Sequence, residues 1–226
     1  MGHAGRVPSE PAPAELSLRE VLGGREAAVD ASVPVAAFVV AWALADGLDA
    51  ARPVLWGTGA ALATGVVVAV NRLARGGRPR AVLLGLLGVT VAALVALRTG
   101  RAVDFFLLQL VGNAASALVW AVSIAVRWPL LGVVVGVALG QRTRWRRDPD
   151  LLRGYQRASW VWVGQYVVRL LVFVPLWANG AVVALGAARL VLTWPLVALC
   201  IAVSWPVLRS ALPPGHPGIR HPRDGS

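Results

Sequence analysis

Residues 98–113 read RTGRAVDFFLLQLVGN. Two arginines and Asp104 stand in front of two phenylalanines and a long apolar run. Asp104 is the only acid between Asp49 and Asp148, and the run continues uncharged to Val126. The hydrocarbon core of a bilayer takes about 20 helical residues. Only a helix or a closed barrel satisfies its own backbone there. The stretch 105–126 therefore reads as a transmembrane helix with charged groups at its mouth.

The same pattern recurs on both sides. Apolar runs occupy 31–44, 54–70, 81–97, 159–177 and 190–208, separated by short polar loops. Of 226 residues, 57% are hydrophobic and 15% charged, against about 25% charged in a soluble domain. The fold class is all-α: a polytopic bundle of about six spans plus one half-length element. That element is 130–139, which is too short to cross. It carries Gly132, Gly136 and Gly140 at four-residue spacing, and we expect it to be re-entrant or buried. The domain organisation is a cytoplasmic tail over 1–30 with a possible surface helix, a transmembrane domain over 31–208, and a disordered tail over 209–226. The first 30 residues show no apolar core or cleavage site of a signal peptide.

Small residues mark helix contacts. Gly57, Ala61, Gly65 and Ala69 fall on one face of the second run, as Gly88, Ala92 and Ala96 do on the third. Such faces let helices approach closely in lipid. In the fourth run Gln109, Asn113, Ser116, Trp120 and Ser123 share one stripe. Lipid offers them no partner, so the stripe turns to other helices or to a wet cavity. Interhelical hydrogen bonding is the favoured reading of the two. Arg169 lies mid-run, where a charge costs about 2.5–3.5 kcal/mol on insertion scales. It must face inward.

The charge balance gives the expected orientation. Formal net charge is +11, and all 22 basic residues are arginine. With six crossings and both termini inside, seventeen arginines lie inside; Arg52, Arg98, Arg101 and Arg189 lie outside. If 130–139 crossed, the loop 141–157 with its six arginines would face outward, against that bias. The excess thus reads as topology and not as nucleic-acid binding. A repeat is faintly visible: Asn113 to Trp128-Pro129-Leu130 matches Asn179 to Trp194-Pro195-Leu196 without a gap. If it reflects duplication, 181–192 is a separate helix.

Several elements together resemble a known family. They include Pro34 with Phe38, Arg98-Thr99-Gly100-Arg101, Asp104-Phe105-Phe106, Asn113, Trp145-Arg146-Arg147-Asp148-Pro149, and Arg169 with Pro175-Leu176. In that order they resemble an actinobacterial family of integral membrane proteins of unknown function. The early proline and phenylalanine with the Asp-Phe-Phe element are distantly similar to intracellular septation protein A. That likeness implies a small inner-membrane protein tied to envelope integrity. It supplies no activity.

Two functions compete. The leading expectation is a non-catalytic scaffold or assembly factor of the cell envelope, in the cytoplasmic membrane. Its partners would be the bilayer, a second copy or envelope proteins. The alternative is a small-solute or ion transporter built on Arg98, Arg101, Asp104, Gln109, Asn113 and Arg169, centred on Arg169, Asp104 and Asn113. An enzyme is not expected. No intramembrane His or second mid-membrane acid accompanies Asp104, and P-loop, HExxH and CxxC motifs are lacking. Cys200 is single, His3, His216 and His221 sit in the tails without ligand spacing, and Asp148-Pro149-Asp150 reads as a turn and helix cap. No cofactor or metal is expected.

Overall fold

The computed structural model describes residues 24–141, 143–219 and 223, with side chains from residue 30 onward. Among these the chain is helical, in the order α1 (Gly24–Gly47), α2 (Pro53–Ala74), α3 (Pro79–Thr99), a 3₁₀ turn (Ala102–Phe106), α4 (Leu107–Ala125), α5 (Leu130–Ala138), a short 3₁₀ turn (Arg144–Arg146), α6 (Pro149–Ala178) and α7 (Val182–Ser210). All but α5 are long and apolar enough to cross a membrane, α4 together with the turn before it. The protein is a multi-pass integral membrane protein.

Local chemistry sets the helix ends. Pro53, Pro79 and Pro149 stand in the first turn of α2, α3 and α6. There a fixed φ helps and a missing N–H costs nothing. Gly100 closes α3 in the left-handed region at φ 70°. Arg127, at φ 56°, breaks the chain between α4 and α5. Asp148 caps α6: its Oδ1 accepts from the N–H groups of Asp150 and Leu151 at 3.1 and 3.2 Å.

Two apolar cores hold the bundle. In the first, Phe38 of α1 stacks on Phe105 at 4.0 Å between centroids, and Phe106 meets both rings edge-on. Val103, Leu110, Phe173, Val182 and Leu185 close around them. Close approach depends on glycine in two places. A Cβ on Gly57 would stand 3.0 Å from Phe38 and Trp42, and one on Gly186 would stand 2.6 Å from Val39 Cγ2. The second core lies at the other end of the bundle, around fully buried Trp145 and Tyr155 with Leu151, Leu152 and Leu208. There α5 packs on α6, and a Cβ on Gly132 would be 2.9 Å from the Trp145 ring.

Three expectations need correction. First, α6 begins at Pro149 and not at 159. The Asp148 cap draws Arg153 and Arg157 into the helix, leaving 141–148 as the loop. At 30 residues α6 is about 45 Å long, so its first turns extend past a bilayer core. Second, α7 runs unbroken from Val182 to Ser210 through Pro195 and Pro206. A crossing of 190–208 is too short, and 181–192 is not a separate helix. Third, the faint repeat has no structural counterpart: Asn113 is mid-helix while Asn179 is a C-cap, and Pro129 precedes a helix while Pro195 lies inside one.

Candidate functional site

The structure divides the polar residues of 98–169 into two groups. Arg98 is exposed in the last turn of α3, where a cation complements the helix dipole. Arg101 lies over the Trp177 ring, 5.2 Å from its centroid. Asp104 is 4% exposed and accepts a 2.8 Å bond from Trp177 Nε1. These three belong to a structural joint that ties the turn before α4 to the end of α6. Arg169 donates to the Thr193 carbonyl of α7 at 3.0 Å and reaches Gln165 Oε1 at 3.5 Å. It braces α6 against α7.

Gln109 and Asn113 do something else. Together with Ser116 they line a cavity of about 500 Å³ bordered by residues of α1, α2, α3, α4 and α7. The rest of the stripe serves packing. Trp120 stacks on Trp162 at 5.2 Å, and Ser123 Oγ accepts from the Leu130 N–H at 3.3 Å. The cavity thus unites two members of the sequence-derived cluster and leaves out Arg98, Arg101, Asp104 and Arg169.

Three charged residues join it that sequence reasoning had placed elsewhere or passed over. Arg189 was assigned to the outer loop. It stands instead two turns inside α7, about 10 Å from that helix's start, and lines the cavity. Among the described residues its guanidinium has no hydrogen-bond or ion-pair partner. Asp30 and Arg72 form a 3.1 Å ion pair at the opposite end. No spacing rule connects Asp30, Arg72 and Arg189, so only the packing of α1, α2 and α7 reveals them.

The interior holds unpaired polar atoms of both kinds among the described residues. Asn113 is 6% exposed, and among the described residues its Nδ2 has no hydrogen-bond partner; Gln109 Oε1 is likewise buried without one. Unpaired buried polar atoms cost about 1–3 kcal/mol each, and such exceptions ask for an explanation such as a water or a ligand. Asn113 and Arg189 lie six and seven residues past the starts of α4 and α7. These helices begin at the same end of the bundle, so the two side chains sit at similar depth. Phe105 contributes to the cavity wall and belongs to the aromatic core at that end. The far end reaches Asp30, Arg72 and Ala81, beside the arginine-rich α2–α3 loop. The walls between are apolar: Val35, Val68, Val82, Leu86, Val89 and Ala92.

A second polar cluster lies beside the Trp145 core. The ligand atoms of Asp148, Asp150 and His216 all fall within 4.8 Å of one another. Their valences are already used. Asp148 Oδ2 accepts from His216 Nε2 and from the Arg223 N–H, both at 2.9 Å. His216 Nδ1 accepts from the Gly218 N–H at 2.9 Å, which places the ring proton on Nε2. Both ring nitrogens and both carboxylate oxygens of the pair are thus engaged within the protein. The cluster is a clasp: it holds residues 211–219, expected to belong to a disordered tail, against the start of α6, with Ile219 on the second core. By sequence His216 is a tail residue without ligand spacing, since 68 residues separate it from Asp148.

A family described as a protein of unknown function (DUF3159) matches residues 22–215. The chain belongs to this family. The family match spans α1 to α7 and includes every cavity residue, whereas His216 of the clasp falls just beyond it. No curated protein and no solved structure matches the chain.

Proposed function

We propose that this member of the family binds a small anionic solute within the membrane, as a transporter-type protein and not as a passive scaffold. One observation carries the reading: the cavity is lined by two hydrogen-bond donors that have no partner among the described residues, Asn113 Nδ2 and the Arg189 guanidinium. A scaffold gains nothing from an unpaired charge inside its bundle, because that charge costs insertion energy. The aromatic core lies at one end of the cavity and the Asp30–Arg72 pair at the other. The role proposed is non-catalytic.

The protein is proposed to lie in the cytoplasmic membrane with both termini inside. The seventeen arginines counted on that side support this, and with Arg189 inside the bundle only Arg52, Arg98 and Arg101 remain outside. The test is ligand-dependent thermal stabilisation of purified protein against small phosphates, carboxylates and lipids. At 100 times the Kd a ligand adds about 2.7 kcal/mol. At least one compound should raise the Tm of the wild type but not of Gly88→Leu, whose side chain would fill the cavity from an open wall. Stabilisation of neither, or of both equally, overturns the proposal.

A further inference from the structure

The cavity is open sideways. Leu84 and Gly85 on α3, and Leu108 and Gly112 on α4, line it and are also exposed; Leu84 is 67% and Leu108 44% exposed. These faces belong to membrane-crossing helices, so the mouth between them looks into lipid. The slot is unfilled on both sides: a Cβ on Gly85, Gly88 or Gly112 would meet nothing within 4 Å. Gly88 was expected to mark a helix contact, and only Ala92 and Ala96 of that face are buried.

The charges select the occupant. Asp30 and Arg72 neutralise each other at 3.1 Å, which leaves Arg189 as the unbalanced charge of the lining. The complement is a single negative charge. A guanidinium and an amide N–H₂ both donate, and the oxygens of a phosphodiester or a carboxylate are their chemical complement. The apolar walls suit carbon chain near that group. A cavity of about 500 Å³ holds a head and its first carbons, and the remaining chain can leave through the slot without an enclosing tunnel.

We propose that the cavity takes a bilayer lipid with a singly charged anionic head, seated on Arg189 and Asn113, its acyl chains passing between α3 and α4. This rests on the solute-binding reading above and names its ligand class. A lipid reaches the site by sliding sideways, whereas a free phosphate must pass the Asp30–Arg72 pair. The two sources make different predictions.

The test is native mass spectrometry of the full-length protein released from mixed micelles of phosphatidylglycerol and phosphatidylcholine, with glycerol phosphate as soluble competitor. The arginine loops also attract anionic lipid, so the readout is the last lipid retained as activation rises. Wild-type protein should keep one phosphatidylglycerol in at least tenfold preference over phosphatidylcholine. Arg189→Gln should reduce that preference to within twofold, Arg189→Lys should keep most of it, and Gly112→Leu should abolish retention by closing the slot. Arg189→Gln should melt no lower than wild type, because it removes an unpaired charge. Undiminished preference in Arg189→Gln overturns the proposal. So does Arg189-dependent binding of glycerol phosphate without lipid, which leaves solute binding intact. Retention only after removal of residues 1–23 assigns the cavity to that segment and also overturns it. Binding of neither probe, with no compound stabilising the protein, overturns both readings.

Discussion

Trp177 donates its indole N–H to Asp104 across 73 residues of chain, at 2.8 Å, with the Arg101 guanidinium over the same ring. The bond fixes the 3₁₀ turn before α4 to the end of α6 and seats Phe105 and Phe106 on Phe38. Asp104→Leu leaves the Trp177 N–H unpaired and should cost about 1–3 kcal/mol. Asp104→Asn keeps an acceptor and should cost less. Thermal unfolding in detergent ranks the two, and equal losses would show that the bond contributes little. Asp104→Asn, which keeps the acceptor, should leave lipid retention unchanged, because Asp104 does not line the cavity.

Glycines in this fold divide by what surrounds them. Gly186→Ala drives a methyl to 2.6 Å from Val39 Cγ2 between α7 and α1. Overpacking of this kind costs about 1–3 kcal/mol. Gly88→Ala meets open space and gains helix propensity, so its Tm should equal or exceed wild type. Comparable losses in the two variants would mean that α3 is more closely packed than its open face indicates.

The spans were legible because a bilayer enforces length and polarity run by run; the half-length α5 followed from the same rule and from charge placement. The joint at Asp104 and the brace at Arg169 were visible as polar groups but not as contacts, since composition says only that such groups turn inward. Arg189 reads as a loop arginine on paper because it and Pro195 interrupt the last apolar region. In the folded chain α7 continues through that proline. The stripe on α4 was found by periodicity, yet periodicity could not separate the residues that line the cavity from those that pack. The clasp of Asp148 and His216 leaves no sequence signal, because its partners lie far apart and neither belongs to a spacing motif.

The clasp predicts a pH dependence. Burial by itself would raise the Asp148 carboxyl, but hydrogen bonds from the Arg223 N–H, the His216 ring and the Leu151 N–H outweigh it and hold Asp148 below its ordinary 3.8. A depressed carboxylate contributes stability that is complete above about pH 3.8 and is lost as pH falls through its folded value. His216, Asp150, Arg223 and Tyr155 are the titratable and charged groups around it. Amide exchange of residues 211–219, corrected for intrinsic pH dependence, should rise below pH 3.8 while that of α2 and α3 does not. Asp148→Ala should produce the same local opening at neutral pH. Protection that persists in that variant would place the docking energy in Ile219 and the second core.

Topology is testable with single cysteines in a Cys200→Ala background. Nine residues make α5 about 14 Å long, less than half of a bilayer core, so α4 ends and α6 begins on one side. Cysteines at 76 and 143 should react with an impermeant maleimide from the same side, and cysteines at 50 and 180 from the other. Labelling of 76 and 143 from opposite sides would mean that α5 crosses.

Arg169 and Arg189 provide the sharpest contrast. Both are half-buried arginines in the membrane domain, and by sequence Arg169 is the stronger candidate because it lies nearer the centre of its run. The structure gives Arg169 an acceptor, the Thr193 carbonyl at 3.0 Å, and a place outside the cavity. Arg189 has the cavity and, among the described residues, no acceptor. Arg169→Met should therefore keep lipid preference within about twofold of wild type. Its Tm should change little, because the lost brace is offset by removal of a charge whose burial is itself costly. Arg189→Gln should do the reverse, preserving the melt and losing the preference. If Arg169→Met abolishes retention while Arg189→Gln leaves it unchanged, the binding centre lies between α6 and α7, and the cavity against α1 to α4 is a packing defect.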